Sequence, residues 1–125
     1  MMDQPSAIEI ITAVREFIEK QAITQLSGRT AFHARVAANA LAIVGRQLEK
    51  SPVLDALEMK GLEDILDQKG SPEELNRLLC TRIRSGEIDT TEASVAAHLI
   101  RTTLLKVEID QPTYSGYVHT PHRQA

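Results

Sequence analysis

Residues Thr30 to Leu48 read TAFHARVAANALAIVGRQL, and this stretch decides the fold class. It contains no proline, and most of its residues are alanine or larger aliphatic side chains, which suit a helix. A helix that is apolar over so much of its surface is typical of one buried on several sides. We therefore predict an all-α protein, a compact bundle of about five helices with helix 30–49 as its central member.

Serine motifs on either side of this stretch predict where other helices begin. SAIE at Ser6 and SPEE at Ser71 have the capping-box form, in which the serine hydroxyl and the glutamate three residues later bond each other's backbone amides. Ser51-Pro52 predicts a third start, because proline is favoured at the first helical position. Helix 30–49 is accordingly expected to end before Ser51.

Glycines and a proline predict where the later helices weaken or end. Gly61 is expected to mark a kink or break in the helix after Pro52, and Gly70 to end it. From Pro112 the residues favour turns and extended chain. We expect one helical domain over residues 1–111 and a partly extended C-terminal tail over residues 112–125.

The composition fits one domain with an aliphatic core. The chain has 125 residues, of which 42% are hydrophobic and only 3% aromatic. A core of Leu, Ile, Val and Ala suits helices better than a β-sandwich. The net charge of −3 gives no basic excess, so we expect no binding to nucleic acid or to an anionic membrane.

The single cysteine and the polar N-terminus predict a cytoplasmic protein. Cys80 has no second cysteine to pair with, which favours a reducing compartment. Its place in a leucine-rich helix suggests a small core residue. The first residues lack the basic and apolar segments of a secretory signal. Arg35 and Arg46 interrupt the best candidate for a membrane span, so none is expected.

The polar edge of helix 30–49 is the first candidate site. Arg35 and Arg46 are eleven positions apart and so fall on nearly the same side of a helix, with Asn39 between them. Two guanidinium groups there could hold a carboxylate or a phosphate. The alternative, which we favour, is that the arginines pair with acids of neighbouring helices. If Asn39 is buried with a partner, Asn39→Ala should lower the stability by about 1–3 kcal/mol.

Histidines form the second candidate site. His33 and His98 lie on different helices near apolar sectors, so they could meet if those helices pack, and serve in acid–base chemistry or metal binding. A metal usually needs three or four ligands, and no third is evident, so we favour two structural histidines. His119 and His122 have a chelating spacing, but they sit in a polar tail. No metal or other cofactor is expected.

Tyr114 follows the last predicted helix directly. Its ring could dock over the bundle, which is the plain interpretation of an aromatic residue at that place. The alternative is that it acts as a hook onto a partner or onto a second copy of the chain.

Three stretches together resemble the landmarks of a small uncharacterised bacterial family: GRTAFHARVAANALAIVGRQL, ELNRLLCTRIRSGEID and AAHLIRTTLLKVEIDQPTY. The resemblance covers most of the chain and implies no known reaction. It implies that members are encoded near acyl-CoA dehydrogenases and near kinase-like proteins similar to aminoglycoside phosphotransferases. The positions that carry it are Arg29, His33, Arg35, Asn39, Arg46, Asn76, Arg82, His98, Asp110, Pro112 and Tyr114.

Two functions are compatible with these observations. The one we favour is a non-catalytic helical accessory module, linked to acyl-CoA catabolism, that binds a kinase-like protein, an acyl-CoA dehydrogenase or a second copy of itself. Its contact surface is expected around the third and fourth predicted helices or the tail. The alternative is a small-ligand protein or minor enzyme that binds a carboxylate, a phosphate or an acyl-CoA. The candidate ligand-binding residues are His33, Arg35, Asn39, Arg46 and His98.

Overall fold

The computed structural model describes residues 3–119, and these residues form helices and turns without a strand. The prediction of an all-α protein is therefore confirmed. The helices are α1 (Ala7–Phe17), α2 (Gly28–Leu66), α3 (Pro72–Arg84), α4 (Ala93–Asp110) and α5 (Ser115–Val118). After α1 the chain continues through a π-helical turn, Ile18–Ala22, and a 3-10 turn, Ile23–Gln25.

Internal contacts divide the chain into two units. We call Met1–Ser51 the N-terminal unit and Pro52–Ala125 the C-terminal unit, and each is described by itself. The single domain over residues 1–111 stays a prediction. Among the described residues, no helix is long and apolar enough to cross a membrane.

The start of α1 follows the predicted capping box. The Ser6 amide donates to Glu9 Oε2 at 2.7 Å, and the Glu9 amide donates to Ser6 Oγ at 3.2 Å. Hydrogen bonding to the Ser6 backbone amide, and secondly to the Ser6 hydroxyl, holds the pKa of the Glu9 carboxyl below its usual value. A local sequence signal was sufficient here because all its atoms lie within one turn.

The predicted boundary between helix 30–49 and a helix beginning at Ser51-Pro52 is wrong. Both segments belong to one helix, α2, and Pro52 lies inside it. Proline has the helical value of φ whether it stands first in a helix or further along. Pro52 removes one amide donor from the helix, and the turns before and after it remain helical. A Ser-Pro pair therefore does not by itself establish a helix start.

The predicted burial of residues 30–48 on several sides is also wrong. In this stretch only Ala31 and Ala38 are buried, whereas Phe32 is 59% exposed and Val36 is 50% exposed. Ala31 and Ala38 are seven positions apart, so a single narrow face is covered. No described side chain larger than alanine is buried in the N-terminal unit.

One close approach between α1 and α2 is visible at Gly45. A Cβ placed on Gly45 would lie 3.8 Å from Ile11 Cγ2, which is ordinary van der Waals contact. Ile11 is half-buried, while Val14 and Phe17 on the same helix are exposed. Contact on one side of each helix thus leaves much of the apolar surface of this unit open to solvent.

The C-terminal unit has a core of large side chains. Leu62 and Leu66 of α2 pack with Leu75 and Leu79 of α3, and all four are at most 3% exposed. Val95 of α4 is 1% exposed. The predicted Ser71 capping box is present at the start of α3 and holds Leu75 in the first turns of that helix. Helix pairing of this kind buries the apolar stripe that each helix carries.

The end of α2 lies earlier than the glycine that was expected to end it. The helix stops at Leu66, and Asp67 takes a left-handed conformation with φ 49°. Arg82 of α3 donates from Nη1 to the Leu66 carbonyl oxygen at 3.2 Å. That bond satisfies a carbonyl for which a helix end has no intrahelical donor. Gly70 lies beyond the helix, and Gly61 lies within it without a break.

One segment of the predicted tail is helical where turns and extended chain were expected. Residues 115–118 form α5, and within it Tyr117 is 6% exposed. Tyr114, the residue expected to dock, is 55% exposed. The packed aromatic ring after α4 is therefore Tyr117. The proposed pair His119 and His122 reaches into residues 120–125, which lie outside the described residues.

Candidate functional site

A buried histidine faces a glycine inside the C-terminal unit. His98 of α4 is 3% exposed, and Gly61 of α2 is buried opposite it. A Cβ on Gly61 would clash with His98 Nδ1, would lie 2.8 Å from His98 Cε1, and would lie 3.1 Å from Arg101 Nη2. Only glycine leaves room for the imidazole at this separation of the two helices. Gly61 is therefore needed for close packing and does not break α2.

The imidazole lacks a hydrogen bond at one nitrogen. Among residues 3–119, His98 Nδ1 has no hydrogen-bond partner although it is shielded from solvent. Thr102 Oγ1 donates to the backbone carbonyl oxygen of His98 at 2.9 Å. This bond lies within one turn of α4 and does not involve the imidazole ring. Unpartnered buried polar atoms of this kind are uncommon in folded proteins.

A polar cluster joins three helices of this unit. Glu58 Oε1 on α2 accepts from Asn76 Nδ2 on α3 at 3.3 Å and from Lys106 Nζ on α4 at 3.2 Å. The Glu58 side chain is 18% exposed and that of Lys106 is 68% exposed, so the ion pair lies at the edge of the packed region. One carboxylate thereby receives donors from both other helices.

The environment of His98 favours its neutral form. Burial lowers the pKa of His98 from its usual value of 6.5, and the positive charges of Arg101 and Lys106 lower it further. The Glu58 carboxylate acts in the opposite direction but does not prevail. Desolvation disfavours the charged imidazolium because an apolar surrounding cannot replace its hydration. The ring is therefore expected to be uncharged at neutral pH.

The lowered pKa of His98 predicts a pH dependence of stability. Because the unfolded chain takes up a proton near pH 6.5 and the folded chain only at lower pH, stability falls as the pH is lowered through that window. Urea melts between about pH 7.5 and about pH 5.5 should show this loss, and His98→Gln should reduce it. An unchanged pH slope in His98→Gln would contradict the assignment.

Three carboxylates also make the stability depend on pH, but at lower pH than His98. The pKa of Glu9, Glu74 and Asp89 is lowered in each case by hydrogen bonds from a serine or threonine, first of all through its backbone amide. Their contribution is present above the unfolded value and is lost as the pH falls through the folded value. Because the usual pKa values of these carboxyls are 4.5 and 3.8, this loss falls below the range between about pH 7.5 and about pH 5.5 in which the His98 effect is measured.

The geometry gives the imidazole a packing role. Nδ1 lies against Gly61, so a ligand could reach it only if α2 and α4 separated. Among the residues that the structure describes, no three His, Cys, Asp or Glu side chains are grouped to hold a metal ion. Cys80, expected in the core, is exposed on α3 because the buried face there consists of Leu75 and Leu79.

The predicted site residues fall in both units. His33, Arg35 and Asn39 are exposed on α2, and Arg46 is half-buried. His98 belongs to the C-terminal unit, where it is buried. The four α2 residues therefore lie in the N-terminal unit, and the fifth, His98, lies in the C-terminal unit. Their assignment as a ligand-binding site stays a prediction.

Exposure of Asn39 removes the reason to expect a large effect from its substitution. The side chain leaves no buried partner unsatisfied when it is removed, and alanine favours the helix. We expect Asn39→Ala to change the free energy of unfolding by no more than about 0.5 kcal/mol. A thermal or urea melt of the variant beside wild type measures this, and a loss above about 1 kcal/mol would show that Asn39 has a buried partner.

Three charged residues that act on His98 escaped the sequence interpretation. Glu58, Arg101 and Lys106 stand among ordinary surface-type charges, and nothing local marks them. Gly61 did carry a signal, since an isolated glycine within a helical pattern often reports close backbone approach or a packing requirement. Its partner, His98, is distant in the sequence, so the pairing becomes visible only in the fold.

Comparison with known proteins gives a family and no closer relative. No curated protein and no solved structure matches the chain. A family model described as a domain of unknown function, DUF6285, matches residues 24–114. The matched segment contains α2, α3 and α4, and so includes Gly61, His98 and the polar cluster. The chain therefore belongs to the DUF6285 family.

Proposed function

We propose that the protein is a non-catalytic accessory module that binds another protein through its N-terminal unit. One observation carries the proposal: this unit buries no described side chain larger than alanine, although it has helices with many large apolar residues. Folding is driven mainly by the removal of apolar surface from water. A pair of helices that buries so little lacks the usual source of stability, and a bound partner would supply it.

The distribution of exposed apolar residues supports this assignment. Among residues 3–119, fourteen large hydrophobic side chains are exposed, and nine of them belong to the N-terminal unit, although it is the shorter of the two. The earlier expectation of a contact surface around the third and fourth predicted helices or the tail is therefore replaced by one on α1 and α2. Clusters of exposed apolar residues are characteristic of interaction surfaces.

A row of exposed residues runs along α2 at intervals of four. It consists of Phe32, Val36, Ala40, Val44 and Leu48, which we call the α2 row. Rows at this spacing form the ridges that pack into grooves of a neighbouring helix. The row is thus suited to a helical partner. Since Phe32 and Val36 are its most exposed large members, they should contribute most to binding.

The resemblance described above supports a proposal for the partner. A kinase-like protein similar to aminoglycoside phosphotransferases, or an acyl-CoA dehydrogenase, is the proposed partner, and a second copy of the chain is the alternative. The setting we propose is the cytoplasm of a bacterium, with an accessory role in acyl-CoA catabolism. Lack of any helix suited to span a membrane in residues 3–119 is compatible with this setting.

A capture experiment with matched variants tests the proposal. The tagged full chain is recovered under native conditions from the cells that make it, and the mass of each complex is measured. The test variant is Phe17→Ala with Phe32→Ala, and the control is Val53→Ala, which removes a side chain that is 64% exposed in the C-terminal unit. We expect wild type and control to hold one partner stoichiometrically, and the test variant to lose it at least about tenfold.

Two results would overturn the proposal. One is a wild-type chain that remains a monomer without a stoichiometric partner. The other is a partner that the Phe17→Ala, Phe32→Ala variant retains as well as the control does. Circular dichroism of all variants guards against a trivial loss of folding, which is not expected because the substituted side chains are exposed.

The small-ligand function remains the alternative. It rests on His33, Arg35, Asn39, Arg46 and His98, of which the first three are exposed on α2. Thermal-shift screening of acyl-CoA and phosphate compounds tests it, because a ligand that binds only the folded chain raises its melting temperature. A saturable shift that Arg35→Gln abolishes would favour the alternative over the interaction module.

A further inference from the structure

The first two turns of α2 combine cations with exposed apolar side chains. At 100° per residue, Arg29, Phe32, His33 and Val36 lie within about 100° of arc, and Arg35 lies about 60° to the side of Phe32. All five are exposed. The rings of Phe32 and His33 meet edge to face with centroids 5.6 Å apart. We call these five residues the cationic face.

Three acids of the N-terminal unit already have partners on α1 or in the π-helical turn that follows it. Glu9 closes the capping box with Ser6. Glu16 pairs with Lys20 at 3.6 Å, and Glu19 lies 3.8 Å from Arg15. Neither Arg29 nor Arg35 forms an ion pair within residues 3–119. Positive charge on the cationic face therefore has no counter-ion from the neighbouring helix.

This combination selects the chemistry of a binding partner. Apolar anchors at positions 32 and 36 continue into the α2 row, which suits an amphipathic helix laid along it. Guanidinium groups beside the anchors favour carboxylates on that helix, because complementary charge steers and orients association. The expected partner segment is a helix with apolar residues at intervals of three and four and with Glu or Asp on both sides of them.

Charge argues against the two other occupants. A two-fold pairing of the cationic face with itself would place Arg29 and Arg35 near their own copies, where like charges repel. A helix that lies on an anionic membrane usually has a polar face rich in Lys and Arg. In α1 and the π-helical turn that follows it, the acids outnumber the bases, with Glu9, Glu16 and Glu19 against Arg15 and Lys20. Neither a second copy nor a lipid surface fits as well as an acidic helix.

We propose that the cationic face of α2 is the docking site for an acidic amphipathic helix of a partner protein. The inference rests on the proposed interaction function and specifies which part of the N-terminal unit makes the contact and with what. The apolar anchors provide affinity, and the arginines select the acidic sequence and its direction. Association should weaken as salt is raised, since exposed charge pairs are screened.

Photo-crosslinking from the face tests the proposal in the full chain. Phe32→p-benzoylphenylalanine places the crosslinker at the centre of the face, Phe17→p-benzoylphenylalanine samples α1, and Val53→p-benzoylphenylalanine is the control in the C-terminal unit. Cells that make the protein are irradiated, and the crosslinked peptides are identified by mass spectrometry. We expect position 32 to crosslink to a helical segment of another protein with at least two acids within one turn of the crosslinked residue.

Charge reversal provides the second arm. Arg29→Glu with Arg35→Glu should reduce the crosslink from position 32 at least about tenfold. The matched control, Arg77→Glu with Arg84→Glu on α3, makes the same charge change and should leave it unaffected. Unfolding is not a concern for the test pair, because both side chains are exposed and a glutamate at position 29, in the first turn of α2, interacts favourably with the helix dipole.

Each outcome has one meaning. A crosslink from position 32 to a second copy of the chain, to lipid or to a segment without acids overturns the inference, as does insensitivity to charge reversal. If position 17 captures a partner and position 32 does not, the inference is wrong while the interaction function stands. If neither position captures a protein, both proposals are wrong.

Discussion

Leu62→Ala is expected to lower the free energy of unfolding by about 2–5 kcal/mol. Leu62 is 0% exposed and belongs to the core with Leu66, Leu75 and Leu79, so its removal leaves a cavity among side chains held by two helices. The variant buries less apolar surface on folding, and the side chains around the cavity lose van der Waals contacts. Both losses lower the free energy of unfolding. Against a typical total stability of about 5–15 kcal/mol, this is a large fraction.

Urea denaturation followed by circular dichroism measures the effect. Val53→Ala is the matched control, since it lies on the same helix and in the same unit but is 64% exposed. We expect the control to change stability by about 0.5 kcal/mol or less. Equal midpoints for the two variants would show that Leu62 is not part of a packed core.

Gly61→Ala is expected to destabilise the protein although alanine is the better helix former. The intrinsic preference of a helix for alanine is worth about 1 kcal/mol. The new Cβ would clash with the His98 imidazole and approach Arg101 Nη2 to 3.1 Å, and overpacking of this kind typically costs about 1–3 kcal/mol. The imidazole is confined by burial, so we expect the clash to outweigh the helix preference.

Gly45→Ala provides the control for the helix preference alone. A Cβ at Gly45 meets only Ile11 Cγ2, at 3.8 Å, so the variant should be as stable as wild type or up to about 1 kcal/mol more stable. We therefore expect the two glycine-to-alanine substitutions, although they lie on the same helix, to change the free energy of unfolding in opposite directions. Destabilisation by both substitutions to the same extent would contradict the steric explanation for Gly61.

A double-mutant cycle assigns the cost to the facing pair. His98→Ala alone should destabilise by removing a buried ring, but it also makes room for a methyl group at position 61. The effect of Gly61→Ala should therefore be smaller in the His98→Ala background, with a coupling of at least about 0.5 kcal/mol. Additive effects would mean that the side chain at 61 does not meet the imidazole.

Features confined to one helical turn could be predicted from the sequence. The capping boxes at Ser6 and Ser71 are formed by atoms three residues apart, and both occur as expected. Ser51-Pro52 is equally local, yet its local geometry is the same at a helix start and inside a helix. Only the wider fold decides between them, which is why α2 was expected as two helices.

Burial required information that a sequence pattern does not contain. The apolar content of residues 30–48 is real, but composition does not reveal what covers a surface. For the candidate site, an apolar neighbourhood was sufficient to single out His98. The sequence marks Gly61 only as a weak point in its helix, because the imidazole that occupies the space beside it comes from a different helix.

The absence of large buried side chains from the described part of the N-terminal unit affects how the chain responds to denaturant. The slope of the unfolding free energy against urea concentration scales with the surface newly exposed. In residues 7–51 only Ala31 and Ala38 are buried, so melting them exposes less new surface than melting the core, and their helical signal should fade over a broader range of urea. The residues around Leu62 and Leu75 should instead be lost in one steep transition. We therefore expect the C-terminal unit to unfold more cooperatively than the N-terminal unit. A single urea midpoint would then describe only the C-terminal unit.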